Sequence, residues 1–415
     1  MLGINKNCKF SNRVKNLTKV FYNYFGFFPT DAFTSPGRIE LLGNHTDHNN
    51  GMALVSTIDL NILSLGTKSD DNHVTFHSSG FPIMDIDLED LEKKGDERGE
   101  SIGIVRGVLY RLKELGYNIG GIKACTTTTI FQGAGVSSSA AFELLIAKMI
   151  SFFYNDDSID PIVLAKVCQF AEVEYFEKPC GLLDQIGISI GSINFIDFKS
   201  TDQILTRKVY APFKNYEFVL VQCKDGHSNL THLYSKIKED MFKLASYFGK
   251  NVLRDVYYKD YFNAKEDLIA KFGEDIYLRG KHYFEENLRV RKGLESLIKK
   301  DEKTFIKLLN ESGESSFYQL KNCYIKSVEE NLPKGILKSK EIINDGAVRV
   351  HGGGFAGTIL ALVNKDEVDN YVTEMKKLFG NKKVKRIVTN RFGTRHISRI
   401  EEVLTQEELN EIKGE

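Results

Sequence analysis

The stretch GAVRVHGGGFAGTILALV (346–363) decides the fold class. Its residues 352–357 match G-x-G-x-x-G, the glycine pattern of a dinucleotide-binding unit. That unit needs a helix directly after the glycines. Here TILALV (358–363) follows, a short apolar run that reads as a strand, so the dinucleotide fold is rejected. Two uses for four glycines in six residues stay open. They form a tight hairpin, or they bare the backbone so that a second loop or a ligand can come close.

Working outward, AVRVH (347–351), TILALV and KRIVTN (385–390) surround the helical pattern DEVDNYVTEMKKLFG (366–380). A strand–strand–helix–strand order of this kind belongs to an α+β sandwich. Upstream, 229–317 is mostly helical, whereas ISIGSINFIDF (188–198) and YEFVLVQC (216–223) read as strands. A leading helix is expected over 11–28, strands within 31–88, and helices over 101–115, 140–154 and 160–177. The β-branched run 121–130 is expected to be a buried strand. No Gly-, Ser- or Pro-rich linker marks a boundary. We place it at 205–215 and divide the chain into 1–208 and 209–415.

Composition narrows the function. Lys plus Arg and Asp plus Glu are both 56 in 415 residues, so the formal charge is zero. A nucleic-acid carrier normally shows a basic excess. No apolar run is long enough to span a membrane, and the N-terminus lacks a signal-peptide core. The cysteines at 8, 125, 168, 180, 223 and 323 form no C-x-x-C pair, which argues against a zinc ribbon and for a reducing compartment. The expectation is a soluble cytoplasmic protein and a monomer.

Three further segments carry chemistry. GAGVSSSAAFELL (133–145) sets glycines and serines between a strand and a helix. Unpaired N–H groups and partial positive charge at a helix start favour an anion, phosphate above all. An ordinary N-cap is the alternative. SPGRIELLGNHTDHNNG (35–51) gathers Arg38, Asn44, His45, Asp47 and His48, a set suited to a hydroxyl-rich ligand. The alternatives are a polar turn, or a zinc site from His45, Asp47 and His48. In AEVEYFEKPCGLLDQ (171–185), Asp184 lies among Leu182, Leu183 and Ile186 and is either a functional acid or a helix cap.

In order, R-x-x-x-x-G-x-H-T-D, G-x-G-x-S-S-S, C-G-x-x-D-Q and G-G-G-F-x-G resemble the GHMP small-molecule kinase family, and within it the branch that phosphorylates galactose. The resemblance runs from 35 to 363. It implies a two-lobed α+β architecture, with an N-terminal lobe like domain 2 of ribosomal protein S5, a ferredoxin-like C-terminal lobe, and the active site between them. It implies that Gly133, Gly135, Ser137, Ser138 and Ser139 hold the ATP phosphates, and that Ser138 and Glu172 bind Mg²⁺. Sugar contacts would come from Asn44, His45, Asp47, Gly181 and Tyr234, with Arg38 and Asp184 as the catalytic pair. The reaction implied is transfer of the ATP γ-phosphoryl group to the anomeric hydroxyl of galactose.

The chain departs from the family at several points. Members carry Glu and Tyr where this sequence has Asn44 and His48. That Glu faces the sugar C6 hydroxyl. An amide can still bond a hydroxyl and does not repel a C6 carboxylate. Galacturonate and N-acetylgalactosamine therefore stay open beside galactose. The segment 225–237 departs from S-L-x-x-S-x-Y, and Ala356 replaces a common Gly. A silent sugar sensor would be expected to damage the serine loop or the catalytic pair, and both are intact.

Overall fold

The computed structural model describes residues 8–78, 81–131, 135–178, 180–200, 202–210, 213–223, 231–355 and 357–414. Gly133 and Ala356 lie outside them. The strands are β1 (Asp31–Leu42), β2 (Met52–Ser69), β3 (His73–Ser78), β4 (Met84–Asp87), β5 (Gly121–Thr128), β6 (Ile193–Asp197), β7 (Leu205–Val209), β8 (Tyr216–Gln222), β9 (Gly346–Val350), β10 (Thr358–Asn364), β11 (Val384–Ile387) and β12 (Arg395–Arg399). A large sheet runs β12-β1-β2-β5-β3-β4, with β6 and β7 attached through the first half of β2. A small antiparallel sheet runs β11-β8-β10-β9.

Period-2 alternation explains the apolar run in β10. Ile359, Ala361 and Val363 pack with Ile336, Tyr371 and Met375, whereas Leu360 and Leu362 join a cluster with Phe305 and Leu309. Both faces are covered, so residues 359–363 are all apolar. The second cluster also holds Leu42 and Leu54 of the large sheet, so the core runs on between the two sheets. Helix Glu274–Lys299 crosses that junction, where Gly293 leaves room for Leu42.

Three readings change. Residues 188–190 end the helix Leu183–Ile190, and β6 starts only at Ile193. A short apolar run suits a buried helix as well as a strand. The helix expected to reach 177 ends at Phe170 and continues as a π-helical turn, Ala171–Tyr175. β12 was not foreseen: it pairs with β1, with Asp31 opposite Arg399, and carries the chain back to the large sheet.

Candidate active site

Arg38 sits where the β1–β2 register breaks, between Pro36 and Arg38. Such a bulge re-aims a side chain. The guanidinium is buried and makes a two-pronged pair with Asp184: Nε donates to Oδ1 at 2.7 Å and Nη2 to Oδ2 at 2.9 Å. Nη1 donates to the carbonyl of Gly135 at 2.6 Å. The serine turn reaches β1 because residue 37 is Gly. A Cβ there would lie 3.0 Å from the Val136 carbonyl, which itself accepts the Arg38 N–H at 3.1 Å.

Ser137 precedes helix Ser138–Tyr154 with φ 60 and makes no side-chain cap. Its hydroxyl donates instead to Asp184 Oδ2. The N-cap alternative therefore fails, and the first turn of the helix keeps N–H groups for an anion. A serine held in the left-handed region is strain of the kind that collects at functional sites. Burial pushes the Asp184 carboxyl up. The Arg38 charge and hydrogen bonds, the Ser137 hydroxyl and the Lys178 charge outweigh that and hold it below its ordinary value.

The 43–51 segment is built into the small-sheet side. Glu286 Oε1 accepts the Gly43 N–H at 2.8 Å and the Ser312 hydroxyl at 2.6 Å. Asn44 is fully buried and spends its amide on protein. Its Nδ2 donates to Glu40 Oε1 (2.9 Å) and to the Gly352 carbonyl (2.7 Å), and its Oδ1 accepts from Asn322 (2.8 Å). Asn44 thus ties β1 to the glycine loop, and the sugar-contact role implied for it loses its free groups.

His45 Nε2 faces the Gly353 carbonyl at 2.8 Å, so it carries the proton. Its Nδ1 then accepts from His48 Nε2 at 3.4 Å, and His48 Nδ1 accepts from Asn49 at 2.9 Å. Burial holds both rings neutral, with His45 lowered to about 4 and His48 well below its usual value. With these nitrogens engaged, the zinc alternative loses both histidines, and no metal-holding cluster of three occurs among the described residues.

Asp47 starts a 3₁₀ turn. Backbone N–H groups of its own turn bond the carboxylate, but burial and the nearby Asp184 charge lift it to about 6. Gly181 must be glycine to leave Asp47 its place, since a Cβ there would lie 1.9 Å from Oδ2. Tyr234 donates to the Gly354 carbonyl at 2.9 Å, and its ring stands where a Cβ on Gly353 would go. The 352–354 loop thus does both jobs left open for it: it joins β9 to β10, and its bare backbone receives Asn44, His45 and Tyr234.

Glu172 lies on the π-helical turn, a common marker of functional positions. It is buried, and Ser139 donates to its Oε1 at 3.1 Å. The hydroxyl that meets Glu172 is therefore one residue beyond Ser138, which is exposed and lines the cleft. Lys178 Nζ lies 2.6 Å from the same Oε1, and Gln185 donates to Oε2 at 2.8 Å.

Arg38, Asn44, His45, Asp47, Gly135, Ser137 to Ser139, Lys178, Gly181, Asp184 and Tyr234 line one cleft of about 1140 Å³. The chain segments from 38, 135, 184, 234 and 352 meet there. Lys178, Gln185, His351 and Glu40 also belong to the neighbourhood and were missed. Glu40 had a signal: it stands two residues after Arg38 and so on the same strand face. It pairs with buried Arg349 of β9 at 2.9 Å.

The galactokinase galactose-binding signature matches residues 19–68, and the GHMP kinases N-terminal domain matches 103–192. The galactokinase of Thermotoga petrophila is 30% identical over 351 residues, 83% of this chain and 94% of that protein. The chain belongs to the galactokinase family. It is a kinase of the GHMP fold. The galactokinase of Clostridium tetani is 27% identical over 361 residues, 86% of this chain and 90% of its own length. In fold, the chain matches Lactococcus lactis galactokinase complexed with galactose with a TM-score of 0.80 at 23% identity, over 92% of this chain and 98% of that one. The mevalonate kinase of Methanococcus jannaschii gives 0.59 at 16% identity, over 86% and 98%.

Proposed function

We propose that this galactokinase-family chain transfers the γ-phosphoryl group of ATP to the anomeric hydroxyl of galactose, giving galactose 1-phosphate. The observation that carries the reading is the carboxylate of Asp184, shared by Arg38 and by Ser137 of the serine turn. One carboxylate thereby links the anion-binding helix start to the galactose-binding signature. The cleft lies between the halves 1–208 and 209–415, with β12 crossing back. We place the reaction in the cytoplasm, in a monomer.

Phosphoryl transfer passes through a loose transition state, so positioning and charge dominate. Arg38, pinned by three hydrogen bonds, is a fixed cation beside the phosphate turn and stabilises charge on the transferring group. Asp184 accepts the anomeric O–H. Its lowered pKa makes it a weak base, so it orients the hydroxyl and takes the proton late. Asp47 grips two ring hydroxyls. A wrong epimer leaves that carboxylate unsatisfied. His45 and His48 stay neutral and shape the floor.

The family implies Mg²⁺. The local donors fit it: Glu172 and a serine hydroxyl are hard oxygens, and the buried carboxylate already draws a cation, the Lys178 ammonium. Glu172, with Ser138 or Ser139, would hold the ion. When bound it neutralises charge on the phosphates.

An assay of ADP release with galactose, galacturonate and N-acetylgalactosamine tests the proposal. Galactose is expected to give the highest kcat/KM and a sugar 1-phosphate by ³¹P NMR. Absent turnover on galactose, or a higher kcat/KM on another sugar, refutes it.

A further inference from the structure

Lys178 is the one cation that touches Glu172 among the described residues, and its placement is specific. Its backbone N–H donates to the Glu172 carbonyl at 3.0 Å, which fixes the main chain, and Glu177 before it is held at φ 60. The side chain is half exposed (52%) while that of Glu172 is 3% exposed, so the ammonium is the movable partner. Both the ammonium and the Ser139 hydroxyl are aimed at one carboxylate oxygen, Oε1. Gln185 occupies the other.

A divalent cation held by Glu172 and a serine of the turn needs that same Oε1. Oxygen–Mg²⁺ distances are about 2.0–2.1 Å. An ammonium 2.6 Å from the same oxygen would then face a like charge at close range. We propose that the Lys178 ammonium neutralises Glu172 whenever no metal is bound and swings to the ATP phosphates when the metal enters. This rests on the assignment of Glu172 as a metal-holding residue.

The charges agree. The charges of Glu172 and Lys178 cancel, so the buried carboxylate is not left alone. When metal and nucleotide arrive together, the freed ammonium finds anionic oxygens along the serine turn, whose residues line the same cleft. Metal arriving without nucleotide must displace a tethered cation that gains only solvent in exchange for its carboxylate partner. Lys178 is thus a positioning residue that makes metal binding conditional on nucleotide.

The test measures two affinities by calorimetry: Mn²⁺ without nucleotide, and ADP without metal. In Lys178→Met, Mn²⁺ is expected to bind at least about tenfold more tightly, and metal-free ADP at least about tenfold more weakly, the loss of one charged hydrogen bond. Lys178→Arg keeps a cation and is expected to behave as the wild type in both. Thermal melts check folding, and Lys178→Gln is the second neutral variant should the first fail to fold. If the neutral variants leave both affinities unchanged, or weaken Mn²⁺ binding, this role of Lys178 is overturned. Glu172→Gln separates the two ideas. Unchanged Mn²⁺·ADP binding in that variant refutes the metal assignment itself, whatever Lys178 does.

Discussion

Gly181→Ala isolates the sugar grip from everything else in the cleft. The added Cβ would stand 1.9 Å from Asp47 Oδ2 and 2.9 Å from its Cγ. Ordinary contact starts at 3.4 Å, so the oxygen must retreat by about 1.5 Å, the difference between 3.4 and 1.9. That takes a carboxylate out of hydrogen-bond range of a ring hydroxyl. The φ of Gly181 is not in the left-handed region and the residue is exposed, so alanine is tolerated by the backbone and the fold survives. Losing one charged hydrogen bond costs about 2 kcal/mol, or about 30-fold in affinity. Calorimetric galactose Kd and steady-state KM should both rise about 30-fold, while the Kd for ATP stays within about twofold. A galactose KM within about threefold of wild type would show that Asp47 is not the sugar grip.

Two other outcomes follow from the buried charges. Burial and the Asp184 charge lift Asp47 to about 6, whereas sugar hydroxyls bond its ionised form, so galactose binding releases a proton and weakens as pH falls through about 6. At pH 5 about a tenth of the carboxylate is ionised, so the galactose KM is expected to rise about tenfold from its value at pH 8; a flat KM profile contradicts the assignment. The Arg349–Glu40 pair, 2.9 Å apart and buried, joins β9 to β1, so Arg349→Met leaves a buried carboxylate with Asn44 as its hydrogen-bond donor but without its paired cation, and should lower stability by about 3–5 kcal/mol in urea titrations. A loss under about 1 kcal/mol would mean that the two sheets are not held by this pair.

The order of motifs carries the resemblance to the family, and the resemblance implies the shared cleft in which Arg38, Asp47, Gly181 and Asp184 stand. Rotation about a helix axis was not legible. Ser138 and Ser139 point about 100° apart, and only the observed start of the helix shows that Ser139 meets Glu172. The sugar-contact role of Asn44 comes from the resemblance alone, since it stands where the family carries a Glu. Its partners Gly352 and Asn322 are about 300 residues away, and nothing local signals them. The same holds for β12, whose five residues become a strand only by pairing with β1. The glycine run was read correctly as a non-dinucleotide loop because the strand after it is apolar on both faces.

The proposed reaction depends most on Asp184 acting together with Arg38 on the anomeric hydroxyl. Asp184→Asn keeps the shape but removes the charge that Arg38 and Ser137 converge on. Its kcat for galactose 1-phosphate formation, measured alongside galactose and ATP affinities, should fall at least about 100-fold with both affinities largely kept. Turnover close to wild type would contradict it.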